Sequence, residues 1–392
     1  MLTCSQELGQ RSSRVICVAR GRFVGPFFMG RGGVMRLKTA ILLCLILLLS
    51  CNKVLEEKKW PMLYSIQVDG KYGFINDTGQ IVIEPQFDRV FTRSEEELIG
   101  VSIGKKWGYI DRQGNYVINP QFEKVGGFRG GLSSFKIGNK EGFIDKTGKI
   151  IINPRYDAVC GFYEGLAMIE IDKKRGYINT KGEVIIEPQF EHTVFFKDGL
   201  AAAKMAGKYG YIDKEGNYVI NPQFDYTHSF SEGLAEVRIG KKWGFIDKNG
   251  TMVIKPTFDS VDGFKEGLAP VNIGGEQVGD SIWDFYGGKW GYIDKTGKLV
   301  IDTKYDKAAM FSQGLAIVEN DDKCGFIDKT GKFIIPLHSD YFASFEGNLA
   351  GVAREIKTDV SYTKWDGTKV YNYEYKSGYI NREGKYVWEP SN

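Results

Sequence analysis

The chain has 392 residues, 42% hydrophobic and 14% aromatic, with 26% charged residues and 11 prolines, which excludes a disordered chain and allows a sizeable buried core. The formal charge of +3 is carried by the first fifty residues, where Arg11, Arg14, Arg20, Arg22, Arg31, Arg36 and Lys38 face the single acid Glu7; without them the balance is −3. Dispersed lysines on a slightly acidic chain leave no electrostatic footprint for nucleic acid, which is not expected as a partner.

In chain order, residues 1–34 read as an upstream extension or a mis-assigned start ahead of Met35. Residues 35–50 read as a secretory signal: Arg36-Leu37-Lys38 precedes a ten-residue apolar run, Ala40 to Leu49, too short to span a bilayer stably. Its end, Leu48-Leu49-Ser50-Cys51, resembles the lipobox of bacterial lipoproteins. That resemblance implies acylation of Cys51, contact with the membrane through that lipid only, and a place in the bacterial cell envelope. Residues 51–62 then form a short charged tether.

Residues 63–390 repeat one pattern nine times. A glycine, an aromatic, isoleucine and Asp or Asn recur at Gly73, Gly108, Gly142, Gly176, Gly210, Gly244, Gly291, Gly325 and Gly378. Six of the eight intervals are 34 or 35 residues; the others are 47 and 53. A near-constant period marks a repeat architecture.

The unit around Gly244 shows the local physics. Leu234-Ala235-Glu236-Val237-Arg238-Ile239 alternates apolar and polar residues, as a half-buried strand does. Gly240-Lys241 suits a two-residue II′ turn, and Lys242-Trp243-Gly244-Phe245-Ile246 is a second strand. Asp247-Lys248-Asn249-Gly250 is turn chemistry, followed by a third strand, Thr251 to Ile254, ended by Lys255-Pro256. Thr257 to Val261 adds a short edge to the unit.

Lys106-Trp107-Gly108-Tyr109-Ile110-Asp111, Lys242-Trp243-Gly244-Phe245-Ile246-Asp247 and Lys289-Trp290-Gly291-Tyr292-Ile293-Asp294 resemble the WG, or KWG, repeat family of bacterial proteins. At the tryptophan position Glu141, Arg175, Cys324, Ser377, Tyr72 and Tyr209 also occur, which predicts a half-exposed site with long side chains lying along a face. The resemblance implies a repeat scaffold, often extracytoplasmic, without a defined catalytic activity. The fold expected is all-β: nine three-stranded β-meander units of about 34 residues in an open twisted array, with a closed propeller-like ring as the alternative.

Chemistry-bearing patterns are sparse. His192, His228 and His338 do not share a register, and no cofactor-binding or metal motif is recognisable. Asp111, Asp145, Asp213, Asp247, Asp294 and Asp328 recur at one place, but a lysine directly follows several of them. They are expected to close hairpin turns rather than to bind calcium. Cys160 and Cys324 occupy different places in distant units and are expected to be free, mostly buried thiols.

The two long intervals hold inserts near 274–287 and 354–375, both between the first and second strands of a unit. They carry Trp283, Phe285, Tyr286, Tyr362, Trp365, Tyr371, Tyr373 and Tyr375. Inserts at one place in a repeat emerge on one edge, often the binding edge, and polar-tipped aromatics supply rigid contact area. The leading expectation is a non-enzymatic scaffold that binds another protein at the envelope; a glycan or cell-wall ligand is the alternative. Packing of the inserts on each other, or capping of the array's end, is the structural explanation weighed against both.

Overall fold

The computed structural model describes the backbone of residues 2–9, 12–19, 22–23, 27–28, 62–91, 97–277, 285–363 and 369–389. The chain divides into two compact units, Met1–Trp60 and Pro61–Asn392. In the first, Leu2–Gly9, Ser12–Ala19, Arg22–Phe23 and Phe27–Phe28 form a small antiparallel sheet. The signal segment 35–50, Cys51 and the tether to residue 61 lie outside the described residues.

The described residues of the second unit form nine antiparallel sheets, or blades, each made of consecutive strands. Blade 1 has three: Tyr64–Val68, Lys71–Ile75 and Ile81–Phe87. The other eight have four. In blade 6 they are Tyr226–Thr227, Ala235–Ile239, Lys242–Ile246 and Met252–Phe258. The three-stranded meander is thus the larger part of each blade, and the short edge belongs elsewhere. Ser260–Val261, expected to flank its own unit, pairs instead with Leu268–Gln277 of blade 7.

The expected open array is corrected: the blades close into a nine-bladed ring, the alternative reading. Nine apolar clusters join the blades, one at each junction. The ninth packs Tyr64, Ile66 and Ile75 of blade 1 against Leu349, Tyr379, Val387 and Trp388 of blade 9. The physical reason lies in the strands. Ala235 and Val237 face blade 5 while Phe245 and Trp243 face blade 7, so every blade has two apolar faces. An open array would leave two of them bare, and closure needs no exchanged strand.

Blades around a ring diverge outwards, so of a blade's two edge strands the inner one is the more hidden. Val125, Thr193, Thr227 and Val261 on the short first strands are buried, whereas the fourth strands expose Val117, Ile150, Val184, Val219 and Val253. The short strands form the inner edge.

The repeated glycine has a steric cause. Between Trp243↔Phe258 and Phe245↔Ile254 the fourth strand carries extra residues, a bulge containing Pro256. The strand therefore continues through the proline to Phe258 instead of ending there, because the bulge takes the missing donor out of the ladder. The bulge presses the backbone toward Gly244, where a Cβ would lie 2.7 Å from the Pro256 nitrogen. The same clash awaits a side chain at Gly108, Gly142, Gly176 and Gly210.

The tryptophan position is less uniform than expected. Trp107, Trp290, Arg175 and Tyr72 are half-buried, Ser377 is exposed, but Trp243, Tyr209, Cys324 and Glu141 are buried. The neighbouring blade covers the face on which these residues stand. Cys324 is a buried thiol and Cys160 an exposed one, so the expectation of burial holds for only one of them.

Candidate functional site

Each blade is a meander, so its second-to-third-strand hairpin and the links to neighbouring blades share one rim. The third-to-fourth-strand turns lie on the other. There Asp247 Oδ1 accepts the N–H groups of Asn249 (2.9 Å) and Thr251 (2.8 Å), and Asp145 does the same for Thr147 and Lys149. These bonds are the turn role expected of the recurring acids; the Asp247 carboxyl is held below its usual range, the Thr251 N–H contributing most.

On the hairpin rim a second device recurs. Lys140 Nζ donates to Asp157 Oδ1 (2.7 Å), whose other oxygen accepts the Asp172 N–H of the next blade's hairpin (2.9 Å). Lys71–Asp88–Gly104, Lys208–Asp225–Gly240, Lys242–Asp259–Gly274 and Lys289–Asp306–Asp321 repeat it. The lysine that opens the Lys-Trp-Gly motif thus fastens its blade to the following link and hairpin. It also holds the carboxyls of Asp88, Asp157, Asp225 and Asp306 below the ordinary range.

Two blades break the regularity. The hairpin strands lengthen to Leu268–Gln277 and Phe285–Asp294 in blade 7, and to Leu349–Thr363 and Lys369–Ile380 in blade 9. Pairing reaches Gln277↔Phe285 in the first and Thr363↔Lys369 in the second. The inserts are therefore ladder extensions of the same hairpin on the same rim, on either side of blade 8. Tyr286 is 71% exposed and Tyr375 61%. The Tyr375 hydroxyl donates to Glu355 Oε1 (3.3 Å) and its ring meets Tyr341 edge-on, centroids 6.1 Å apart. Phe285, Tyr362, Tyr371 and Tyr373 stand on these strands opposite Gln277, Val370, Val360 and Lys357. Their side chains, and Trp283 and Trp365 entirely, lie outside the described residues.

A pocket of about 430 Å³ opens where the blade 7 hairpin leaves the ring, lined by Arg238, Lys241, Lys242, Trp243, Asp259, Gly275, Glu276 and Gln277. Arg238 is 9% exposed, and its Nη2 donates to Gln277 Oε1 across the junction. Trp243 is 5% exposed and lies parallel to His228, centroids 5.9 Å apart. His228 Nδ1 is 3.1 Å from Glu236 Oε1, itself buried. Burial, with the Glu236 charge adding to it, raises the Asp262 carboxyl above its usual range.

Sequence reading missed Arg238, Lys241 and Gln277 as members of a site. A signal was present: where Glu236 stands, other units carry Gly100, Ser134, Met168, Ala202, Pro270, Ile317 and Gly351. A charge in a small or apolar column marks a junction with its own chemistry.

The family described as "WG containing repeat" matches residues 72–107, 107–140, 142–174, 176–209, 209–243, 243–276, 290–324 and 325–354. No curated protein matches the chain. Among solved structures, a crystal structure of "the eukaryotic initiation factor" is similar at 10% identity and a TM-score of 0.55, over 83% of this chain and 95% of that one. The dihydro-heme d1 dehydrogenase NirN is 11% identical with a TM-score of 0.39, covering 82% and 75%. The V. cholerae biofilm matrix protein Bap1 is 10% identical with a TM-score of 0.28, covering 82% and 87%. At these identities the likeness concerns the fold alone.

Proposed function

The chain belongs to the WG-repeat family, and from that premise we propose that it is a non-catalytic scaffold that binds another protein through the hairpin rim of its ring. A lipid on Cys51 holds it at the bacterial cell envelope. The observation that supports a binding rim is the pair of lengthened hairpins in blades 7 and 9, both on one side of the ring and both presenting exposed tyrosines. Tyrosine offers a large amphipathic surface at low conformational cost, which suits a contact face better than a fold-only extension.

The test replaces residues 274–287 by the short Gly-Lys turn of blade 6, and 354–375 likewise, in the full chain. Crosslinking in the native envelope should then lose the adducts that the unaltered chain gives. Adducts that persist unchanged in the double replacement would sink the reading. The anchor has its own test: labelled palmitate should enter the protein and should fail to enter the Cys51→Ala variant.

A glycan ligand is the second reading, favoured by the exposed rings of Tyr286 and Tyr375. Pull-down on purified peptidoglycan separates it from the first, because a protein-binding rim gives none.

A further inference from the structure

We infer that the pocket at the junction of blades 6 and 7 receives a carboxylate side chain from an acidic segment of the partner protein, with the buried Arg238 guanidinium as its receptor. This rests on the protein-binding reading of the rim and names the partner's chemistry. Arg238 is 9% exposed, and among the described residues its Nε has no hydrogen-bond partner. A buried guanidinium with an unsatisfied donor is costly to keep unless a negative charge comes to stand beside it. Its Nη2 is committed to Gln277 Oε1, which fixes the plane of the group against the blade 7 hairpin.

The surrounding charges decide the sign of the ligand. Lys242 is paired with Asp259, and Asp259 also accepts the Gly274 N–H (2.9 Å). Asp225, the other acid whose field reaches Arg238, is engaged by Lys208 and by the Gly240 N–H (2.7 Å). Glu236 is not in the lining, and its Oε1 lies 3.1 Å from His228 Nδ1. Arg238 and Lys241 then stand against Glu276 alone in the lining, a net positive wall. An Arg offers its fork to a carboxylate, which is why a carboxylate and not a neutral amide is the expected guest. Trp243, nearly closed over by His228 and Tyr226, leaves too little ring for a sugar to stack on, which favours an acidic peptide over an acidic saccharide.

Isothermal titration of the full chain with a capped hexaglutamate peptide tests the assignment. Binding should weaken about tenfold or more in Arg238→Gln, the scale of one charge-assisted hydrogen bond, less in Lys241→Gln, and not at all in Lys255→Gln on the outer strand of the same blade. Arg238→Lys should keep part of the affinity, which separates loss of the receptor from loss of the fold. Three results overturn the assignment: no hexaglutamate binding, equal weakening in Lys255→Gln, or Arg238-dependent binding of oligogalacturonate without hexaglutamate binding. If hexaglutamate fails while hairpin replacement still abolishes the envelope adducts, the acidic-guest assignment falls and the scaffold stands.

Discussion

The junction between blades 5 and 6 and the seam between blades 9 and 1 solve one problem with different parts. At the ordinary junction the Tyr211 hydroxyl bonds Thr227 Oγ1 and donates to the His228 carbonyl (2.7 Å), both on or beside the inner strand of blade 6. Lys208, Asp225 and the Gly240 N–H fasten the rim. Blade 1 has no inner strand among the described residues, so at the seam Tyr379 reaches past that place and donates to Ser65 O on the second-strand equivalent (2.8 Å). Tyr64 packs edge-on against Tyr379 at 5.3 Å, donates to Glu346 O (2.8 Å) and accepts the Asn348 N–H (3.1 Å). Two tyrosines replace a strand and a charged clasp. Closure depends on matching apolar faces, and the polar device is interchangeable.

The comparison breaks most severely at the anchor glycines. Gly244→Val should push the fourth strand off its bulge and cost about 3–5 kcal/mol, the range of severe core disruptions, read as a lowered urea midpoint. Tyr64→Ala should cost about 3 kcal/mol, the low end for removing a large buried aromatic, and Tyr379→Ala, at a half-buried ring, somewhat less. Both should also enlarge the radius of gyration measured by X-ray scattering, because the seam is the place with least redundancy. An unchanged radius with a large stability loss would show that the seam is no weaker than its neighbours. The hydroxyls alone are worth less: Tyr379→Phe and Tyr211→Phe should each lose about 1 kcal/mol, with the larger loss at Tyr211, whose hydroxyl meets both Thr227 Oγ1 and the His228 carbonyl.

The smallest effect sharpens the contrast through acid. Asp88, Asp157, Asp225 and Asp306 have lowered folded-state pKa values, with the lysine hydrogen bond as the leading cause. Their contribution is therefore present above the unfolded carboxylate range near pH 4 and is lost as pH falls through the lower folded values. Such exposed clasps are screened by solvent and each contributes little, but they titrate together, so acid should loosen the ordinary junctions while leaving the tyrosine seam in place. Amide exchange at pH 3 should rise at Gly240 N–H before it rises at Asn348 N–H; the reverse order would refute the division. Asp262 moves the other way. Its raised pKa means stability held at low pH and lost as pH climbs through the folded value, so Asp262→Asn should raise the melting temperature at neutral pH and not at pH 3.

Much of this molecule was legible in the chain because each repeat states its own geometry. Period, hairpin turns, the Asp-closed turns and the place of both inserts follow from local rules that hold blade by blade. Gly240 has the positive φ, +62°, that its expected turn needs. Closure was not legible, because it lives in residues that no local rule connects. Nothing near Tyr64 announces Tyr379. The destination of Ser260–Val261 was misjudged for a related reason: two residues carry no pattern of their own, and only the sheet that receives them decides their place. The pocket went unseen because Arg238 reads as an ordinary solvent-side strand residue until the blade 7 hairpin is laid beside it.

The bond from Tyr379 to Ser65 spans 314 positions of sequence and that from Tyr64 to Glu346 spans 282. Joining ends so distant has an entropic cost that grows only as about (3/2)RT ln n, but it must be met before the seam contacts can form. Blades can assemble one upon another as the chain emerges, each new sheet covering the last. The first sheet keeps a bare face until the ninth arrives. In a cell that is the interval in which a nascent copy is exposed to proteases and to other nascent copies, and a holdase that covers the face around Ile66 and Ile75 would serve it until Leu349 takes its place.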